Sequence, residues 1–360
     1  MLRYLLIFLI ASVSPVCFAQ TDSVTNDTAK QDLTFSGFVD TYYAYDFNKP
    51  ANHERPEFLY NHNRHHEFNV NLAFLKAAYA GNKVRGNLAL MAGTYAQYNL
   101  AAEPDLLQNI FEANVGVQLA NNLWLDAGIL PSHIGLESAV SNDDYTLTRS
   151  LAAENSPYYE SGVKVTYKRG SKWLFAGLVL NGWQNIREPD GNSNKALGTQ
   201  IQFKPNANIL LNSSSFIGNE KPDNAKQRRY FHDFYATFQL QPNLKLATIF
   251  NIGWEEKPTA NTYHTWYSPT LLLHYNLLEK VGFGARAEYY HDPHGVIVAS
   301  SSAARFKTSG YSLNLDYAPT DKIMLRLEGR HLHSPAPLFT RAGQATANNQ
   351  AITSSLAISF

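Results

Sequence analysis

The sequence predicts an all-β chain folded as a transmembrane, antiparallel up-and-down β-barrel of about 16 strands, with 14 and 18 as the bounds. Three observations predict it. Segments long enough to cross a bilayer alternate apolar and polar side chains. The connections between them alternate short and long along the chain. The first residues read as a secretory leader. The stretch Ile323–Arg330 states the physical problem: Ile323, Leu325 and Leu327 share one parity, and Met324, Arg326, Glu328 and Arg330 share the other. In a soluble sandwich those charges would face bulk water. In a membrane barrel the leucines would face lipid and the charges an enclosed interior.

The leader comes first. In "MLRYLLIFLIASVSPVCFAQ", Arg3 is the positive region, Leu5 to Ile10 the apolar core, and Cys17 and Ala19 the small residues before a cut. Cleavage is expected after Ala19, giving a signal peptide over 1–19. A lipid anchor at Cys17 fits poorly, because Ser14-Pro15-Val16 lacks the expected leucine and small residue. The single cysteine of the sequence then leaves with the leader, so the mature chain has no disulfide or cysteine metal site. Residues 20–32 are polar and read as a flexible segment, and the barrel is expected over 33–360.

Composition narrows the class. The 360 residues carry 30 basic and 30 acidic side chains, so nothing draws the chain as a whole toward nucleic acid. Aromatics make up 13%, with 21 tyrosines, whose rings favour dry surroundings and whose hydroxyls favour water, as at a membrane interface. No later run reaches the ~18 apolar residues of a transmembrane helix.

The strands follow in order. Over 33–47, Leu33, Phe35, Val39, Tyr43 and Tyr45 oppose Asp40 and Tyr42. Over 66–79, Phe68, Val70, Leu72 and Phe74 oppose Glu67, Asn69 and Asn71. Over 83–97, Val84, Leu88 and Leu90 oppose Lys83, Arg85, Asn87 and Gln97. Over 109–119, Phe111, Val115, Val117 and Leu119 oppose Glu112, Asn114 and Gln118. Further segments are 123–130 (with Asp126), 161–168, 172–181, 197–204, 208–217, 228–240, 244–255, 264–276, 279–291, 304–317, 321–332 and 350–360. Segments 228–240 and 279–291 alternate most clearly, the polar parity holding Arg229 and Asp233 in one and Arg286 and Glu288 in the other; 208–217 and 264–276 alternate poorly.

The seven turns near 80–83, 120–122, 169–171, 205–208, 241–243, 276–280 and 318–322 are short and rich in Asn, Gly, Pro and Asp. Eight longer links alternate with them: 48–65, 98–108, 131–160, 182–196, 218–227, 256–263, 292–303 and 333–349. A soluble sandwich has no reason to sort loops by length onto one end, whereas an outer-membrane barrel has short periplasmic turns and long extracellular loops. The last segment, "AITSSLAISF", puts Ile352, Leu356, Ile358 and Phe360 on one parity. A strand ending in an aromatic residue resembles the signal by which bacterial outer-membrane barrels are recognised for insertion, and Phe360 is assigned that role.

Inward charges then require a wet interior. An arginine turned to mid-membrane lipid costs about 2–4 kcal/mol. Eight strands enclose a packed core, but 16 to 18 enclose an aqueous channel. The 31-residue connection 131–161 is long enough to be functional, with apolar anchors at Ile134, Leu136, Leu147 and Leu151. It is expected to fold into the lumen, placing Glu137, Asp143, Asp144, Glu154 and Glu160, with Arg149, across water from wall arginines Arg85, Arg229, Arg286, Arg326 and Arg330. The expected pore-lining set is therefore Arg85, Glu112, Asp126, Glu137, Asp143, Asp144, Arg149, Arg229, Arg286, Glu288, Arg326, Glu328 and Arg330. The plainer alternative for the loop is an extracellular cap with solvated charges.

The stretches "DAGILPSHIGLES", "SNDDYTLTRSL" and "SPYYESGVKVTYK", with "FSGFVDTYYAYDFNKP" near the start, resemble the β-barrel porins of Bacteroidetes, the OmpL-like porin-2 family. The resemblance implies an outer-membrane porin of undefined substrate and supplies no catalytic residues.

Other chemistry is thin. "NHNRHHE" gathers His62, His65 and His66, with His53 nearby, but these lie in an expected surface loop without a frame, so a solvated loop is expected and no metal site is assigned. No phosphate-binding glycine loop, zinc-protease helix or G-x-S-x-G elbow is present, and neither cofactor nor enzymatic activity is expected. The leading function is a passive channel for small hydrophilic solutes in the outer membrane of a Gram-negative bacterium. The alternatives are a channel specific for a sugar or anion, a plugged structural or adhesion barrel, and a soluble periplasmic β-domain. Expected partners are outer-membrane lipid and lipopolysaccharide, the barrel-assembly machinery, small polar solutes and, by analogy with other sixteen-stranded porins, two further copies of the chain.

Overall fold

The computed structural model describes residues 32–299 and 305–360; the expected leader lies outside them. Around the barrel run β1 (Asp32–Asp46), β2 (Phe68–Ala80), β3 (Val84–Ala92), β4 (Ile110–Ala120), β5 (Leu123–Pro131), β6 (Tyr159–Arg169), β7 (Trp173–Leu180) and β8 (Ala196–Asn206). Then come β9 (Ile209–Asn219), β10 (Arg228–Gln241), β11 (Leu244–Lys257), β12 (Ala260–Leu278), β13 (Val281–Asp292), β14 (Phe306–Thr320) and β15 (Ile323–His333). A separate hairpin, β16 (Phe339–Arg341) with β17 (Gln344–Thr346), sits in the last long loop. The ring of 16 antiparallel strands closes where β18 (Asn348–Ser359) pairs with both β15 and β1. Closure leaves no unpaired edge in lipid, which is what permits a sheet to span a bilayer.

Alternation sets the two faces. On β15, Leu325 and Leu327 are exposed on the outer surface while Arg326, Glu328 and Arg330 are buried inside. Aromatic side chains gird both ends of the outer face. At the short-turn end Trp173 stacks on Phe203 at 4.1 Å; at the long-loop end Tyr43 meets Phe68 at 5.0 Å.

The expected segments depart from the fold in four places. The extra residue Asn71 bulges out of the β1–β2 ladder, where Asp40 pairs with Leu72 and Thr41 with Val70. The bulge flips parity, so Leu72 turns inward to Phe38 while Phe68 stays outside. The segment over 83–97 ends at Ala92: Gly93 takes φ 123°, and a helix, α1 (Thr94–Asn99), leaves the wall. A Cβ at Gly93 would also lie 2.5 Å from the Asn71 carbonyl oxygen. The link expected over 256–263 is only residues 258–259, because the Thr-, Tyr- and Trp-rich start of β12 pairs with β11 up to Lys257. Loop sorting thus has one exception. The β16–β17 hairpin carried no alternation long enough to reveal it.

The interior is built from the wall and from two long connections. Phe58 and Leu59 of the 47–67 loop and Ile134 and Leu151 of the 132–158 loop pack against inward Phe216, Phe231, Trp266 and Phe306.

Candidate functional site

The 132–158 loop enters the barrel directly after β5. His133 fixes its entry: Nδ1 meets the Glu160 carboxylate of β6 at 2.9 Å, and Nε2 meets the Ser215 carbonyl oxygen at 2.8 Å. Both ring nitrogens face acceptors, an arrangement that suits the imidazolium, which donates from both. The His133 carbonyl in turn accepts from Ser214 at 2.7 Å and Gln200 at 3.0 Å.

Deeper in, the loop folds around fully buried Arg149. Its Nε donates to the Ser138 carbonyl at 2.7 Å and its Nη atoms to the carbonyls of Leu147 and Ala139, with Asp144 Oδ2 3.2 Å from Nε. The Ser150 hydroxyl caps a single helical turn, α2 (Leu151–Glu154), by accepting from the Ala153 amide, while Glu137 accepts from the Ser150 amide at 2.9 Å. Glu154 Oε2 accepts from the amides of Tyr60 at 2.9 Å and Asn61 at 3.2 Å, which seats the 47–67 loop on this one.

The far side of the loop docks on β13, β14 and β15. Arg326 holds Asp316 at 2.6 Å through Nε and donates through its Nη atoms to the carbonyls of Ser141, Thr146 and Asp144. Arg286 donates to Thr146 Oγ1 at 2.8 Å, to the Thr148 carbonyl and to Glu328 at 2.8 Å. Glu328 accepts from the Thr148 amide at 2.6 Å, and Glu288 accepts from the Leu151 amide at 2.5 Å and from Arg330 at 2.7 Å. On β1, Asp40 accepts from Ser141 Oγ at 2.9 Å and meets His62 Nε2 at 3.0 Å. A dry loop must satisfy its backbone groups without water, and the inward charges of the wall do that work. Approach is closest at Gly284, where a Cβ would fall 2.2 Å from the Tyr145 carbonyl oxygen.

This geometry corrects several expectations. Arg286, Glu288, Arg326, Glu328 and Arg330 point inward, but at 5% exposure or less they lie beneath the loop and do not face it across water. Glu137, Asp144 and Glu154 pair within the loops and Glu160 with His133, while the exposed Asp143 lies beside Ser138 and Arg149 of its own loop. Two of the five wall arginines face elsewhere. Arg229 grips Glu255 at 2.7 Å between Trp183 and Trp266 in the long-loop half, and Arg85 grips Asp126 at 2.7 Å over the Trp124 ring. The histidine loop is only half solvated: His53 and His66 are exposed, but His62 and His65 are buried, His62 on Asp40 and His65 accepting from the Asp46 amide at 2.9 Å. Among the described residues no group of three or more His, Cys, Asp or Glu is placed to hold a metal ion.

Sequence reasoning missed Asp316, Asn314, Thr146 and Thr148. The polar parity of β14 signals the first two; nothing local signals that the two threonines meet Arg286. The wall of β2 to β5 is less covered: Lys76, Arg85, Asn87, Gln118 and Trp124 are half-buried, and Lys76 bonds Glu112 at 2.6 Å.

The sequence matches the model of the beta-barrel porin-2, OmpL-like family over residues 32–360. The chain belongs to that family. No curated protein matches it. In fold, the porin is similar to an anion-selective porin from Comamonas acidovorans, with 9% identity, TM-score 0.62, and 92% of this chain and 100% of that one covered. It is similar to the outer membrane channel DcaP of Acinetobacter baumannii, with 14% identity, TM-score 0.63, and 93% and 99% covered. It is also similar to the trimer form of OmpT from Vibrio cholerae, with 12% identity, TM-score 0.61, and 92% and 100% covered. The protein is an outer-membrane porin, a channel for small solutes in the Gram-negative outer membrane.

Proposed function

We propose that small hydrophilic solutes diffuse through this porin between the docked 132–158 loop and the inner wall of β2 to β8. Arg85, Lys76 and Gln118 line that path, with the buried Asp126 and Glu112 behind them as the partners of Arg85 and Lys76. Arg286, Glu288, Arg326, Glu328 and Arg330 serve as anchors that fix the width of the passage. One observation carries this reading: the polar side chains of the β13–β15 wall are used up by the loop, while Lys76, Arg85, Asn87 and Gln118 of β2 to β4 stay half-open beside the buried Glu112, Asn114 and Asp126. Purified protein in planar bilayers should conduct steadily, and liposomes containing it should swell at rates that fall smoothly with sugar size. Saturation by a single solute would instead indicate a specific site, and absence of conductance a plugged barrel.

The apolar cluster of Phe58, Leu151, Phe231 and Trp266 favours a second reading, in which the loops close the long-loop end until a particular solute displaces them. Assembly as a homotrimer is supported by the trimer form of the Vibrio cholerae OmpT neighbour. Recognition by the assembly machinery through Phe360 fits its place in the seam, where its amide and carbonyl both bond Gly37.

A further inference from the structure

The outer face of the barrel is not uniform at its long-loop end. Strand register sets Tyr267 of β12 opposite His291 of β13, and His291 opposite Lys307 of β14. One step toward the membrane, Tyr289 pairs with Ser309, and Ser309 with His333 of β15; next, Tyr311 pairs with His331. All of these share the outward parity, since their neighbours Tyr290, Asp292, Phe306, Thr308, Gly310 and Leu332 are buried inside. The rings of Tyr267 and His291 touch edge to face at 4.9 Å, and His333 Nδ1 lies 2.9 Å from the Asn348 amide oxygen.

The row sits above an apolar band. Below it on the same face come Leu271, Ala287, Leu313 and Ile352, so the tyrosines lie at the aromatic girdle and Lys307, His291 and His333 lie at headgroup height. Across the outward parity of β13, β14, β15 and β18 there is no carboxylate to answer them. Lys307 makes no ion pair among the described residues. A cation at the hydrocarbon boundary without a protein anion is stabilised by an anion from the lipid.

We propose that this patch binds the phosphorylated headgroup of an outer-leaflet glycolipid, with Lys307 as the fixed charge, His291 and His333 as flanking donors, and Tyr267, Tyr289 and Tyr311 packing against sugar and upper acyl chain. The site lies on the lipid face and is separate from the channel.

The test uses the intact protein in neutral detergent micelles doped with labelled bis-phosphorylated lipid A, measuring the lipid retained per folded barrel after detergent exchange. Wild type should retain it, and Lys307→Gln should lower retention about fivefold, the factor expected for one basic side chain at a charged membrane surface. Lys322→Gln, in the β14–β15 turn at the opposite end, should leave retention unchanged. A heat-modifiability gel confirms that each variant is folded. Equal retention by wild type and Lys307→Gln overturns the proposal, as does equal binding of dephosphorylated lipid A. Displacement of the lipid by millimolar inorganic phosphate would assign the patch to free phosphate and overturn the lipid assignment.

Discussion

Two arginine–aspartate pairs inside this barrel have nearly the same geometry and different surroundings. On the β14–β15 wall, Arg326 and Asp316 meet at 2.6 Å with side chains 1% and 7% exposed. On the β3–β5 wall, Arg85 and Asp126 meet at 2.7 Å with side chains 18% and 5% exposed. The first guanidinium has three loop carbonyls on its Nη atoms, while the second lies over Trp124 beside half-open neighbours. What covers an inward charge decides its role: beneath the loop it is a fastener, and beside the passage it is part of the field a solute meets.

The strongest way to break the covered wall is to remove one partner. Arg286→Ala leaves Glu328 buried without its arginine and strips the donors from Thr146 and Thr148, at a cost of about 3–5 kcal/mol. The loop should leave the wall, so single-channel conductance should rise and added protease should cut within 132–158. Replacing both partners in Arg286→Met/Glu328→Met should recover only the part of the loss that comes from the unpaired charge, because the Thr148 amide and carbonyl lose their wall partners in the double variant. If Arg286→Ala conducts like wild type and resists cleavage, the loop is not held by this wall.

The asymmetry between the walls was only half legible in the sequence. Parity on β15 put Arg326, Glu328 and Arg330 inside, because a period of two and the cost of charge in lipid are local properties. The lumen-directed fold of 132–158 could be anticipated from its length and from Leu147 and Leu151. Its azimuth could not be: whether the loop leans on β15 or on β3 depends on contacts such as Thr148 with Glu328, 180 residues apart. The same holds for His62, whose burial on Asp40 follows from the 47–67 loop turning inward. The parity error at Leu72 has a different cause, one extra residue at Asn71, which leaves no mark in composition.

The open wall should respond in selectivity more than in stability. Arg85→Glu replaces a cation beside the passage with an anion next to Asp126. The stability cost should stay below that of Arg286→Ala, since Arg85 is 18% exposed and its replacement keeps some access to water, although Asp126 is buried. The reversal potential in a salt gradient should move toward cation preference, with conductance changed less than in Arg286→Ala. An unchanged reversal potential would mean that ions pass by another route and that Arg85 is as inert to them as Arg326.

The smallest expected effect is a dependence of loop docking on pH. Burial pushes the Glu154 carboxyl above its usual range, against the lowering influence of the Asn61 and Tyr60 donors and of Arg149; burial does the same to Asp144, which Arg149 opposes. Both groups belong to the loop. With the docked-state value raised, docking takes up protons, so its contribution is complete below the free carboxylate range of about pH 4 and is lost as pH rises through the raised values. Lowering the pH from neutral should therefore tighten the loop and reduce conductance, while raising it should loosen the loop. Glu154→Gln imitates the protonated carboxyl while keeping an acceptor for the Tyr60 and Asn61 amides. Its conductance at neutral pH should approach that of wild type in acid, with a flatter pH profile between them. A profile as steep in Glu154→Gln as in wild type would move the titrating group away from the contact between the two loops, leaving Glu137, Asp143 and Asp144 as the loop carboxyls to vary.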